Sequence, residues 1–322
     1  MSRISLLVAI LFLVSAIGCG SKASPSSASA TQAGTSSPSS SGSSSSGSGT
    51  SSSSSSTSSS GTSSSGSSTS GSGTSSSTQS TPPSQAAGYT LAFSDNFSTL
   101  NLSPNGLGSY NWYNPGIWWN GAAPYADISA SSSGLTLNWN GDGGDTSIAT
   151  ASPSGCGSNS CQSWRYGYFE ASMKWDPVQG SWPAFWMIPV QAIGNNDSKG
   201  EIDIFEGQGN TPTTYYGTYH EWQNGSTDIQ NNANSNSWKA PAGTDMAAYH
   251  TYGLLWTPGQ FTWYFDNQKI ISATYSGTTG ASWFDNNDYY IILGSQVNGW
   301  GSNTGASGTI PLNVQWVHVW QQ

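Results

Sequence analysis

Charge is scarce in this sequence, and basic charge most of all: 7% of its 322 residues are charged, with 7 Lys and Arg against 16 Asp and Glu. A nucleic-acid surface needs clustered cations, so no nucleic acid is expected as a partner. Cysteine is nearly absent, at 3 residues, too few for a disulfide-built scaffold; with no His near Cys156 or Cys161, no metal site is expected at that pair. The apolar run at the start, Ile4–Val14, is too short to cross a bilayer as a stable helix. Nothing in the chain has the period of a long amphipathic helix, which leaves a β protein.

The aromatic residues and the acids occupy one part of the chain. All 16 Trp lie at or beyond Trp112, and every Asp and Glu lies beyond residue 88. Residues 1–18 read as an export signal, Met1-Ser2-Arg3 followed by the apolar run. Ala16-Ile17-Gly18-Cys19 resembles a bacterial lipobox, which makes Cys19 the expected lipidation site and a membrane anchor an expected partner. Residues 19–88, nearly all Ser, Gly and Thr, cannot build a core and are expected to act as a flexible tether. The protein is expected outside the cytoplasm, as a periplasmic or cell-surface lipoprotein or else secreted. Residues 89–322 form one domain, with five basic residues minus sixteen acids giving a net charge of −11. It is expected to be a monomer. In an exported chain Cys156 and Cys161 are expected to pair.

Short alternating stretches punctuated by turn residues dominate the domain. Strands are predicted at Leu91–Phe93, Leu135–Trp139, Phe169–Trp175, Thr214–His220, Thr251–Trp256, Phe261–Phe265, Tyr289–Leu293 and Leu312–Trp320. Thr257-Pro258-Gly259 and Asp266-Asn267 supply hairpin turns, and Phe169, Ala171, Met173 and Trp175 form a core-facing row. So many short strands imply two stacked antiparallel sheets with a groove on one face.

One stretch breaks the scarcity of charge: Gly200-Glu201-Ile202-Asp203-Ile204-Phe205-Glu206-Gly207 holds three acids within six residues. In a strand Glu201 and Asp203 share a face, and Glu206 joins them only if one β-bulge absorbs a residue. The two Glu Cα atoms then lie roughly 13 Å apart. Side chains leaning inward bring the carboxyls to about 5 to 6 Å, the spacing for double displacement at a sugar carbon. The pattern points to a retaining glycosidase, with Glu201 as nucleophile and Glu206 as general acid and then base. Asp203 is expected to orient Glu201 through a proton or hydrogen bond. For sugar binding, Trp182 and Trp186 share a face and are cleft candidates, with core packing as the alternative. Trp118, Trp119 and Trp300 are further ring platforms, and Asn298 beside Trp300 is placed to bond a hydroxyl.

Glu201–Glu206, with Trp182-Pro183-Ala184-Phe185-Trp186-Met187 and Tyr166-Gly167-Tyr168-Phe169-Glu170-Ala171 before it, resembles glycoside hydrolase family 16 from about Phe93 to Trp320. The resemblance implies an all-β jelly roll of the concanavalin type with an open cleft, suited to internal attack on a polysaccharide. It assigns Glu201, Asp203 and Glu206 the roles of nucleophile, assisting acid and acid/base, and sets His220 near the cleft floor, against the sugar or Glu206. A β-1,3 or mixed-linkage β-glucan is the leading substrate. An agarase- or carrageenase-type galactanase, a transglycosylase and a non-catalytic carbohydrate-binding protein are the alternatives. Calcium sites of many relatives use acids that are missing here: Asp95-Asn96-Phe97 replaces Asp-Glu-Phe, and Val314-Gln315-Trp316-Val317-His318-Val319 replaces Val-Asp-Tyr-Val-Arg-Val. No cofactor is therefore expected, with calcium as the alternative that the resemblance leaves open. Ser172 stands where relatives commonly have Arg, implying one cation fewer on the catalytic face. His250 is expected to be structural and His318 to lie in the core or at its rim.

Overall fold

The alternating stretches are strands in the computed structural model, which describes residues 81–114, 123–141, 145–159, 161–194, 199–224, 227–229, 237–275 and 283–322. The export signal, Cys19, Trp118, Trp119 and nearly all of the tether lie outside the described residues. The strands are β1 (Thr90–Asp95), β2 (Ile128–Ser131), β3 (Gly134–Trp139), β4 (Thr146–Ala149), β5 (Gly167–Trp175), β6 (Ser181–Pro189), β7 (Lys199–Glu206), β8 (Thr214–Gln223) and β9 (Thr227–Asp228). They continue with β10 (Ser237–Lys239), β11 (His250–Thr257), β12 (Gln260–Phe265), β13 (Gln268–Thr274), β14 (Tyr289–Val297) and β15 (Ile310–Gln321). Every predicted strand is present. The shortest ones, β9 and β10, carry no alternation that would have marked them in advance.

Two antiparallel sheets stack face to face. One runs β13-β12-β11-β5-β15-β3-β2, with β1 also beside β15; the other runs β10-β8-β7-β6-β14-β4, with β9 beside β8. Phe169, Ala171, Met173 and Trp175 face the core between the sheets, as their alternation requires. Against them the second sheet turns Phe185 and Met187 from β6, Ile202, Ile204 and Phe205 from β7, and Tyr215 and Tyr219 from β8. The hairpin at Asp266-Asn267 has both residues at positive φ, 46° and 64°, the backbone of a tight strand reversal. Cys156 and Cys161 form the expected disulfide.

Ser172 is not on the catalytic face. It lies on β5, in the sheet that does not carry the acids, with its side chain turned away from the core to donate to Gln315 Oε1 at 2.8 Å. His250 is structural, bonded to Asp266 at 2.7 Å and to the Asp245 carbonyl at 2.9 Å. His318 is buried and stacked on Trp316 at 4.3 Å. The chain enters the domain on that same outer face: Gln85 donates to Tyr168 Oη and to Asn267 Oδ1, each at 2.7 Å, while Ala86 packs with Tyr168 and Trp320.

Gly217, on the inward face of β8, lies beneath the Trp263 indole. A Cβ there would stand 2.5 Å from Trp263 Cδ1, and that indole donates to the Asp203 carbonyl at 2.8 Å. Gly217→Ala is expected to displace the ring and destabilise the fold by about 1–3 kcal/mol in a urea titration. A variant as stable as the parent would show that the ring has room to move.

Candidate active site

β7 contains the bulge that its acid spacing required. Against β8, Asp203 pairs with Thr218 and Glu206 with Tyr216, three residues on one strand to two on the other. Against β6, Phe205 pairs with Phe185 and Asp203 with Trp186, so the extra residue is Ile204. Glu201, Asp203 and Glu206 therefore stand opposite His220, Thr218 and Tyr216, alternate residues of β8 on one face. Ile202, Ile204 and Phe205 all go to the core. The carbonyls beside the bulge are taken by core aromatics: Trp263 Nε1 donates to Asp203 O, and Tyr215 Oη donates to Ile204 O.

Each Glu accepts from a tryptophan. Trp222 Nε1 donates to Glu201 Oε2 and Trp182 Nε1 to Glu206 Oε1, both at 2.8 Å. Asp203 does not bond Glu201, contrary to expectation. Its Oδ2 instead accepts from Thr218 Oγ1 at 2.6 Å and lies 3.1 Å from His220 Nε2, because Thr218 and His220 flank it on the neighbouring strand. Nor does His220 contact Glu206; its other nitrogen meets Asp228 Oδ2 at 2.7 Å, and its ring stacks on Trp222 at 5.2 Å.

These partners set the charges. Burial works against the imidazolium of His220, but its hydrogen bonds to Asp203 and Asp228, with the charges of Asp203 and Glu201, outweigh it and push its pKa up to about 12. Burial and the Asp203 charge push Glu201 up to about 7, against the opposing pull of His220, Lys199 and the Trp222 N–H. Glu206 is raised further above the carboxylate range by burial and Asp203, with only His220 and Trp182 to oppose them. Glu201 is thus the readier of the two to ionise, and Glu206 the readier to hold a proton. Ligand atoms of Glu201, Asp203 and His220 lie within 4.8 Å of one another, a spacing seen in cation sites. The donor set does not fit a metal as it stands: Asp203 and His220 are bonded to each other, and an imidazolium has no lone pair to offer.

The aromatic residues divide between platform and core. Trp182 meets Trp300 edge to face at 5.6 Å, and Trp300 meets Tyr216 at 5.1 Å, forming a wall beside Glu206. Trp300 is 42% exposed, and with the buried Gln208 amide turned so that its oxygen faces the indole, Trp300 Nε1 donates to it at 2.9 Å. Trp186 is 3% exposed and is no open platform: it shares the acids' face, but Ile188, Tyr290, Ile292 and the disulfide pack around it. Asn298 uses its Oδ1 to accept from Ala306 N at 3.1 Å, a bond that orders its own loop. Trp222, Asp228, Thr218, Tyr216 and Gln208 were not singled out from sequence. Trp222 was within reach, two residues beyond His220 on the same strand face; Asp228 depends on β9 folding back onto β8, which no local pattern announces.

Residues 126–317 match the family model described as Glycosyl hydrolases family 16. An endo-1,3-1,4-beta-glycanase of Rhizobium meliloti is 38% identical over 109 residues, 34% of this chain and 21% of that protein. A keratan-sulfate endo-1,4-beta-galactosidase of Sphingobacterium multivorum is 32% identical over 165 residues, 49% of this chain and 37% of that protein. The chain thus spans well under half the length of either relative. Among solved structures, the laminarinase catalytic domain of Thermotoga maritima has the same fold, with a TM-score of 0.56 at 19% identity over 73% of this chain and 98% of that one. With the bulged acid strand, the two-sheet jelly roll and a family match across most of the domain, the chain belongs to glycosyl hydrolases family 16.

Proposed function

We propose that this protein is an endo-acting retaining glycoside hydrolase that cuts β-1,3 or mixed β-1,3-1,4 glucan. The observation that carries the reading is the bulge, which turns Glu201 and Glu206 to one face, where Glu201 has more groups that favour its ionised form than Glu206 has. Glu201 attacks the anomeric carbon while Glu206 protonates the departing oxygen. Glu206 then takes a proton from the water that releases the glycosyl-enzyme, restoring both groups. Asp203, held by Thr218 and His220, is placed where its carboxylate raises the pKa of the acid that must stay protonated. Trp182, Trp300 and Tyr216 supply ring surface for the chain of sugars. The glucan assignment draws support from the named activities of the Rhizobium relative and the Thermotoga fold neighbour. The galactosidase relative keeps a galactan as the second reading.

Incubation with laminarin, lichenan, agarose and carrageenan, with the first product followed by NMR, tests this reading. Oligosaccharides from the two glucans with retained β configuration are expected. Inverted product, or full activity in Glu201→Gln, overturns the mechanism. Glu206→Gln is expected to lower kcat by about 10²- to 10⁴-fold on natural glucan.

The pH profile provides a second check. Turnover needs Glu201 ionised and Glu206 protonated, so the acidic limb follows Glu201 and the basic limb Glu206. The Trp222 N–H favours the ionised form of Glu201 and so lowers its pKa. Trp222→Phe is therefore expected to move the acidic limb to higher pH and leave the basic limb in place; an unmoved acidic limb would count against Glu201 as the nucleophile.

We also propose that the chain is exported and anchored through Cys19, on the strength of its N-terminal sequence. Palmitate labelling that persists in Cys19→Ala overturns this.

A further inference from the structure

The face that carries the acids continues sideways across the sheet. Glu206 lies opposite Ala184 on β6, Ala184 opposite Gly294 on β14, and Gly294 opposite Ser147 on β4. Ala184 and Gly294 project almost nothing, so this row is a trough leading away from Glu206 between the larger side chains of neighbouring rows. One side chain lies down in it. Gln296, the cross-strand neighbour of Trp182, reaches back over Gly294: a Cβ at 294 would meet Gln296 Cγ at 3.4 Å, Ser147 Cβ at 3.4 Å and Gln296 Nε2 at 3.5 Å.

Gln296 is 5% exposed and Ser147 7%, and among the described residues neither side chain has a hydrogen-bond partner. The amide offers two donors and a two-lone-pair acceptor, and neither it nor the Ser147 hydroxyl is among the fully enclosed unpaired atoms of the described residues, so a ligand lying in the trough can reach both. The catalytic acids have no use for it, because β14 stands two strand spacings from β7, roughly 10 Å. That distance places it beside the neighbouring sugar instead of the one being cut. Its surroundings also indicate the charge of that sugar. β4, β6 and β14 contain no Lys or Arg, so a sulfate or carboxylate in the trough would be buried without a counter-charge.

We propose that Gln296, lying over Gly294 beside Ser147, forms the floor of a sugar-binding subsite that takes an uncharged hexose through its hydroxyls, next to the ring where the bond breaks. The proposal rests on the glycosidase reading and deepens it. The amide and the Ser147 hydroxyl supply the polar contacts, and Trp182 stands on the adjoining position of β6 as an apolar surface.

The test separates binding from turnover. In the Glu201→Gln background, where the probe is not consumed, calorimetry measures the affinity for a β-1,3-gluco-oligosaccharide. Adding Gln296→Ala is expected to weaken binding by about 3- to 10-fold, the effect of one or two hydrogen bonds. Gln296→Glu, of the same size but lacking the donors, is expected to weaken it at least as much, and it decides the matter if the alanine variant folds poorly. With Glu201 intact, each variant is expected to raise KM for laminarin by a similar factor while kcat changes less than twofold. Wild-type affinity and KM in Gln296→Glu overturn the subsite. A parent chain that cuts none of laminarin, lichenan, agarose and carrageenan overturns the glycosidase reading, whereas cleavage of β-glucan with unaltered variants overturns the subsite alone.

Discussion

One extra residue in β7 is the constraint on which the site depends. An inserted residue disturbs the ladder on both sides of a central strand, and such a defect persists only where its backbone groups find other partners. Here those partners come from the core. The Trp263 indole reaches across from the opposite sheet to the Asp203 carbonyl, and the Tyr215 hydroxyl reaches the Ile204 carbonyl. The absence of a side chain at Gly217 lets the Trp263 ring lie where it must. Catalytic alignment on the outer face is thus held by aromatic packing on the inner face.

The electrostatics follow from the same strand pairing. His220 lies between Asp203 and Asp228, giving one cation held by two carboxylates with its orientation set at both nitrogens. The Asp203 carboxylate is therefore fixed in place close to Glu201 and to the buried Glu206. What distinguishes those two is the company each keeps: Glu201 has Lys199 and the Trp222 N–H as well as His220, whereas Glu206 has the Trp182 N–H and His220 at a remove. Their unequal hold on a proton comes from placement, since the side chains are chemically identical.

Periodicity in the sequence carried much of this. The row Phe169, Ala171, Met173 and Trp175 revealed which face of β5 is inside, and the odd spacing of Glu206 revealed the bulge before any pairing was known. Parity says which face a residue takes, but not what else lies on that face. Trp186 shares the acids' side of the sheet and is nevertheless closed over by Ile188, Tyr290 and Ile292. The same limit hid Asp228, supplied by a two-residue strand, and Ser172, whose position within its own strand does not disclose which sheet that strand joins. The loop role of the Asn298 oxygen was not legible because a polar residue in a loop serves its own backbone as readily as a ligand.

The clamp formed by Gln85 and Ala86 has a consequence for how the molecule meets its polymer. Because these residues dock on the outer side of the β5 sheet, the chain joins the sandwich from behind, with the full thickness of the core between that junction and the acids. Residues 85 and 86 therefore leave the acid-bearing face clear, and a substrate approaching the acids does not meet the segment that ties the chain to the sandwich.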